Sequence, residues 1–449
     1  MSHLCKKFFA TPLKKEREQR KAMRKTFVTA LVLVLLSVLP LKAENGINSP
    51  YSRYGFGQLA TYELGVNKAM GGTGIALRNQ NQLNLLNPAS YSSVDTLTFI
   101  MDMGVSLQNT NFAENGIRKN ARNSSFDHLA IQYRLRKGLG MTIGFMPYSN
   151  VGYNYSQTQK VYFNDDPLYR DDDAVTITNK YVGEGGLHSV IAGLGWAPFK
   201  WISVGADATY IYGNFDHYIY NQYSESTINK RTKQYTTELS GVSFDFGGQL
   251  QFEKAKHKVT LGATYALGTT FNNDVLMVDY VVNSGTSALS SDTVRLAPFA
   301  IPQSFGAGLA YNYDNRLTVT ADMSMTQYGA VQFFGEPGMD RYRAALGFEY
   351  IPELITRKFF RRMRYRAGIF AASPSYTMGG GVSGPYEYGA SVGVGIPIIN
   401  GWNNRSIVNV SGQFIHLQPS APNMITENYI RLNVSVSFIE NWFSKWRVN

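Results

Sequence analysis

Gly389-Ala390-Ser391-Val392-Gly393 has the G-x-S-x-G spacing that raises a serine nucleophile on a strand–turn–helix elbow. Here apolar residues flank Ser391 on both sides and the same alternation runs on past it, so the serine reads as mid-strand. The histidines after residue 43 (His128, His188, His217, His257 and His416) fall in separate segments, and no H-E-x-x-H, P-loop or C-x-x-C occurs. The lone cysteine, Cys5, excludes a disulfide framework and a cysteine-based metal site. Asp165, Asp166, Asp171, Asp172 and Asp173 cluster without the Gly and Glu spacing of an EF-hand, and read as a solvated loop. Lys358 to Arg366 (KFFRRMRYR) resembles a nucleic-acid patch, but its apolar residues alternate with the basic ones, as at the start of a strand. The expectation is a non-enzyme without metal, cofactor or nucleic-acid partner. A hydrolase assembled from scattered residues is the alternative.

The elements that would position any site are strands. Only 17% of the 449 residues are charged, against 44% apolar, with 42 glycines and 29 tyrosines. No apolar run reaches the ~18–20 residues of a membrane-spanning helix. Phe27 to Leu39 forms a shorter apolar run behind Arg24 and Lys25, with Ala43 as a small residue for cleavage, so residues 1–43 read as a signal peptide, with Met23 as an alternative start. Ten basic and two acidic residues fall there, leaving a net charge of about +3 on the rest. The chain's pI near 9.4 is therefore no sign of a nucleic-acid partner.

From residue 96 to 438 the chain repeats a period of two. Ile430, Leu432, Val434, Val436 and Phe438 alternate with Arg431, Asn433, Ser435 and Ser437. One face suits lipid and the other suits water or packed polar groups. Fourteen such segments can be counted, near 97–107, 126–135, 139–148, 187–196, 202–212, 242–252, 258–268, 304–313, 317–326, 341–350, 362–371, 386–396, 406–415 and 429–438. Short connections (136–138, 197–201, 253–257, 314–316) alternate with long ones of about 18, 38, 29 and 35 residues, the mark of periplasmic turns and extracellular loops. Aromatics near strand ends, such as Trp196, Trp201, Tyr210, Tyr212, Trp442 and Trp446, suit interfacial girdles. The fold expected is an all-β transmembrane antiparallel barrel of about fourteen strands in a bacterial outer membrane, with 439–449 as an aromatic and basic periplasmic tail.

Residues 44–95 do not alternate, and such a segment cannot lie in lipid with unpaired backbone groups. Its place is inside the barrel, as a plug. Here Met70-Gly71-Gly72-Thr73-Gly74-Ile75-Ala76, followed by Asn87-Pro88-Ala89 just before the first strand, resembles the hatch of long-chain fatty-acid transporter (FadL-like) outer-membrane proteins. The opening SPYSRYGFG and the ending ENYIRLNVSVSFIENWFSKWR are similar to members from Bacteroidetes-type bacteria. The resemblance implies a monomeric barrel in contact with outer-membrane lipid and lipopolysaccharide. It implies passage of a hydrophobic small molecule through a hatch-gated lateral opening at a kink in the third strand. Gly144 and Pro147 lie on that strand, where a proline removes a ladder hydrogen bond and either opens the wall or ends the strand. The alternative for a barrel of this family is work in protein secretion or assembly, with secretion-system proteins as partners.

Bulky residues on inward positions or on the hatch are the candidates to line a ligand site: Tyr54, Phe56, Leu83, Leu85, Leu86, Met146, Tyr148, Ile211 and Phe370. Arg134, Arg341, Arg343, Arg364, Arg366 and Arg431 take the inward phase, as they must, since arginine on the lipid face costs about 2–4 kcal/mol. They either hold a ligand carboxylate or fix plug to wall.

Overall fold

The computed structural model describes residues 46–96, 98–162, 174–225, 228–282, 290–354, 356, 358–398, 406–422 and 424–441. The signal segment, the acidic cluster 165–173 and the girdle candidates Trp442 and Trp446 lie outside the described residues.

Fourteen antiparallel strands form a closed barrel. They are β1 Thr98–Glu114, β2 Ile117–Arg136, β3 Leu139–Val161, β4 Val175–Phe199, β5 Ile202–Tyr223, β6 Lys230–Lys254 and β7 His257–Ala266. β8 Ser304–Tyr313, β9 Leu317–Thr326, β10 Arg341–Tyr350, β11 Arg364–Ala372, β12 Tyr386–Pro397, β13 Ile407–Gln418 and β14 Thr426–Asn441 complete it. β1 closes on β14, from Thr98 opposite Asn441 to Ala113 opposite Thr426. Residues 439–441 thus belong to the last strand and not to a tail.

The period of two does what the sequence requires. On β10, Tyr342, Leu346, Phe348 and Tyr350 are exposed outward, while Arg341, Arg343, Ala345, Gly347 and Glu349 turn inward. On β14, Ile430, Leu432 and Phe438 face out and Asn433, Ser435 and Ser437 are buried within.

The long connections are the main correction. Most of what reads as loop is strand. β1 and β2 are joined only by Asn115-Gly116, both with positive φ (47° and 82°). β3 to β6 continue well past their apolar portions and stay paired, from Ser149 opposite Leu187 up to Val161 opposite Val175. A further hairpin, Asn272–Val282 with Ser290–Leu296, adds to the free flank of β6. Arg231 there donates to both oxygens of Asp279 (2.9 and 2.5 Å) and holds that carboxyl below its ordinary range.

Residues 46–96 pack against inward-facing residues of the strands: Gly71 on Ser391, Tyr91 on Asp207 and Lys68 on Gln413. Their regular pieces are short: a 3-10 turn Pro50–Arg53, helix α1 Gly65–Ala69 and a 3-10 turn Pro88–Ser93. Pieces of this length are not stable alone, so the wall must hold them.

Candidate functional site

The glycine motif docks the plug on one half of the wall. Gly71 and Gly72 adopt left-handed φ values of 68° and 80°. The Gly71 N–H donates to Ser391 Oγ at 2.9 Å, and Gly71 O accepts from Arg343 at 3.0 Å. The N–H groups of Gly74 and Ile75 both donate to one oxygen of Asp322, at 2.6 and 2.9 Å. The wall makes room in return: a Cβ on Gly368 would sit 2.2 Å from Gly71 N. Ser391, the residue of the G-x-S-x-G match, is thus a pin for the plug.

Asn87-Pro88-Ala89 docks the other half. Asn87 caps its turn by accepting from Ala89 N (3.0 Å) and donates to Ile75 O (2.8 Å), with longer contacts to Gly248 O and Ala263 O. Pro88 sits over Gly205, whose Cβ would fall 2.4 Å from the Pro88 carbonyl carbon. Tyr91, fully buried, donates to Asp207 at 2.9 Å and accepts from Gln132 at 3.0 Å through its carbonyl.

Four of the six inward arginines form ion pairs among the described residues. Arg343 pairs with Glu63 of the plug (2.8 Å), Arg341 with Glu387 (2.7 Å), and Arg366 and Arg364 share Glu349 (2.7 and 3.5 Å). Arg431 donates to Gln108, and Arg134 to Thr96 near the short-turn end. Only Arg343, of the first four, ties plug to wall. A pair that sequence reasoning missed is Lys68–Asp127, 2.6 Å apart and nearly fully buried. Asp127 reaches inward because it is the extra residue of a bulge, where Gly104 faces His128 and Val105 faces Phe126. Removing one partner of such a pair strands the other charge. Asp127→Ala is expected to cost about 3–5 kcal/mol, and Lys68→Met on top of it to restore much of the loss. A double-mutant cycle on denaturant unfolding checks this; a single-mutant loss well under 1 kcal/mol would contradict it.

The wall is not paired along its whole height. β2 and β3 pair from Arg136–Leu139 up to Leu129–Phe145 and not beyond. Each strand carries a bulge at that level, Asp127 on β2 and the position between Pro147 and Ser149 on β3. Bulges bend and twist a strand, and Pro147 offers no N–H to a neighbour. Pro147 therefore does not end β3; the strand runs on to Val161 beside a split. Gly144, opposite Ala130, lies just below it.

Plug residues fill the split. Gln58 and Leu59 pair antiparallel with Asn150 and Ser149, and Ala60 N donates to Tyr148 O at 2.9 Å. Ser52 Oγ accepts from Gly152 N (3.1 Å) on the β3 side, and Asn48 donates to Asn123 (3.5 Å) on the β2 side.

Beside the split, Gly55-Phe56-Gly57 forms a finger whose glycines both have left-handed φ (61° and 87°). Phe56 is 2% exposed. Its ring meets Tyr148, Phe271, Phe299 and Phe333 edge to face, with centroids 5.9, 6.0, 5.7 and 5.0 Å away. Phe271, Phe299 and Phe333 come from the connections at the long-loop end, and no periodic pattern announces them.

The proposed lining residues do not share one cavity. Phe56 and Ile211 belong to this aromatic cluster, with Tyr148 packed on it; Leu83, Leu85 and Met146 pack around Tyr91 and Ile100; Phe370 packs with Ile415 and Tyr429. Leu86 lies against Gly74, and Tyr54 stacks on Tyr376 (5.3 Å). Behind the plug strand lies a cavity of about 100 Å³, lined by charged groups including Glu63, Lys68, Asp127, Arg341 and Arg343. That is below the ~300–1,000 Å³ of an ordinary ligand pocket. A larger one, about 950 Å³, opens at the short-turn end beneath plug residues 76–82.

The closed barrel of fourteen antiparallel strands is the fold of the hydrocarbon channels to which the structure is similar. The CymD monoaromatic hydrocarbon channel superposes with a TM-score of 0.54 at 12% identity, covering 86% of this chain and 98% of that one. The Ralstonia pickettii toluene transporter TbuX gives 0.55 at 12%, covering 84% and 98%. A Pseudomonas aeruginosa FadL homologue gives 0.56 at 12%, covering 85% and 99%. At these identities the likeness is one of fold. No curated relative matches the sequence. Residues 23–449 match the BamG family model, and the chain belongs to the BamG family.

Proposed function

We propose that the chain is an outer-membrane channel that passes hydrophobic small molecules sideways through the split between β2 and β3. The observation that carries this reading is the split itself, covered by a plug strand on the edge of β3. Unpaired backbone groups at membrane depth are costly. An edge that the wall leaves free and a short removable strand satisfies is therefore suited to a gate. The aromatic nest around Phe56 is the apolar surface a solute would meet first from the long-loop side. The polar cavity behind the plug strand argues against a path straight down the lumen.

On this reading the exposed apolar residues of the wall contact lipid, the short turns face the periplasm, and one chain closes the barrel. On the same reading, the arrangement with Gln58 and Leu59 paired to β3 is the closed state. Reconstitution into liposomes with toluene and a medium-chain fatty acid as solutes is the direct test, supported by mass spectrometry of lipids extracted from the purified protein. Faster equilibration than in protein-free liposomes, and an enriched hydrophobic ligand, are expected. Equal rates and no ligand would overturn the reading.

A further inference from the structure

The cavity at the short-turn end takes no part in a sideways path, yet it is much the larger of the two described. We propose that it is a docking site for an acidic segment of a periplasmic protein. The proposal uses the orientation given above and is independent of what the channel passes.

Charge is the first argument. Arg78, Arg134, Lys137, Lys200, Lys258 and Arg364 line the cavity, against Asp95 and Glu349. Of these, Arg364 shares Glu349 with Arg366, and Lys258 lies 3.9 Å from Glu253. Lys137 and Lys200 are exposed on the turns after β2 and β4 and make no ion pair among the described residues. Arg78 is more telling: it lines the cavity, and its Nη1 is buried with no hydrogen-bond partner among the described residues. A cation lined up on a concave, low-dielectric surface without a counter-charge attracts an anion strongly.

Size and lining identify the kind of anion. The cavity holds about 950 Å³, many times what a phosphate needs. Asn79, Gln80, Asn81 and Gln82 line it; Asn79 donates to Gln82 at 3.0 Å, and the exposed Gln80 carries an amide able to donate to and accept from a peptide backbone. Phe199 and Leu354, both more than half exposed, stand on its rim. Phe199 stacks on Trp201 at 5.8 Å. Cations, amides and exposed apolar groups together fit a protein segment with carboxylates and a few apolar side chains, and not a simple ion.

The test uses the full mature chain in detergent and a fluorescein-labelled oligoglutamate peptide, read by anisotropy. Binding is expected, and it should weaken about tenfold or more when ionic strength rises from about 0.05 to about 0.3 M. Lys137→Glu with Lys200→Glu should weaken it by a similar factor. Arg118→Glu with Lys119→Glu, at the opposite end on the β1–β2 tip, should leave it unchanged. Arg78→Gln, read beside gel mobility of the folded barrel, extends the test to the plug. No binding, or binding equal in both reversed variants, overturns the proposal. So does full displacement of the peptide by inorganic pyrophosphate at equal concentration, which would make the cavity a small-anion site.

Discussion

A protein carrying Gln58→Cys and Asn150→Cys is expected to stop passing hydrophobic solutes when oxidised and to recover when reduced. The two positions are direct cross-strand partners between plug and β3, at the separation antiparallel pairing gives and a disulfide tolerates. The barrel and plug contain no native cysteine to compete, since Cys5 is the only one in the chain. A disulfide there holds the plug strand on the edge that must be vacated. Solute flux in liposomes should fall by at least about tenfold, because a covalent tie removes the open state and does not merely reduce its population. Unchanged flux in the oxidised form would place the path elsewhere.

Phe56→Ala should act in the opposite direction. The ring fills a site whose walls come from β3 and from two connections distant in sequence. Its loss should cost about 3–5 kcal/mol of plug and mouth stability. The weakened plug should leave the split more readily, so flux rises and protease cleaves within residues 46–60 faster than in the parent. Phe56→Leu, which keeps much of the volume, should fall between the two. If Phe56→Ala lowered flux while leaving the plug protected, the ring would be part of the path and not its stopper.

Much of the barrel was legible because lipid imposes a simple rule. Alternate residues must be apolar, so segments such as Ile430 to Phe438 mark themselves. The glycine motif and Asn87-Pro88-Ala89 were legible for a related reason: close backbone approach demands small residues and a cap. The upper parts of β3 to β6 were not legible. In Ser156-Gln157-Thr158-Gln159-Lys160 both faces are polar, so the period of two carries no contrast and the stretch reads as loop. Pro147 was visible as a weak point, but whether a strand ends or opens there depends on what β2 does. That in turn rests on a bulge at Asp127, which leaves no side-chain signature. The lining candidates failed to converge because bulk and inward phase do not say which residues meet; Phe56 and Phe370 both qualify and lie in separate clusters.

The tall flank has a consequence of its own. β3 to β6 with their added hairpin run well past the belt of exposed apolar side chains, while β7 to β14 are shorter. At about 3.3 Å per residue, the thirteen residues from Ser149 to Val161 alone add roughly 40 Å of ribbon. On the orientation proposed above, the chain raises a screen on one side through the surrounding sugar coat and leaves the other side low. Traffic from outside would then arrive from a preferred compass direction, and neighbours in a crowded membrane would find one shoulder already taken.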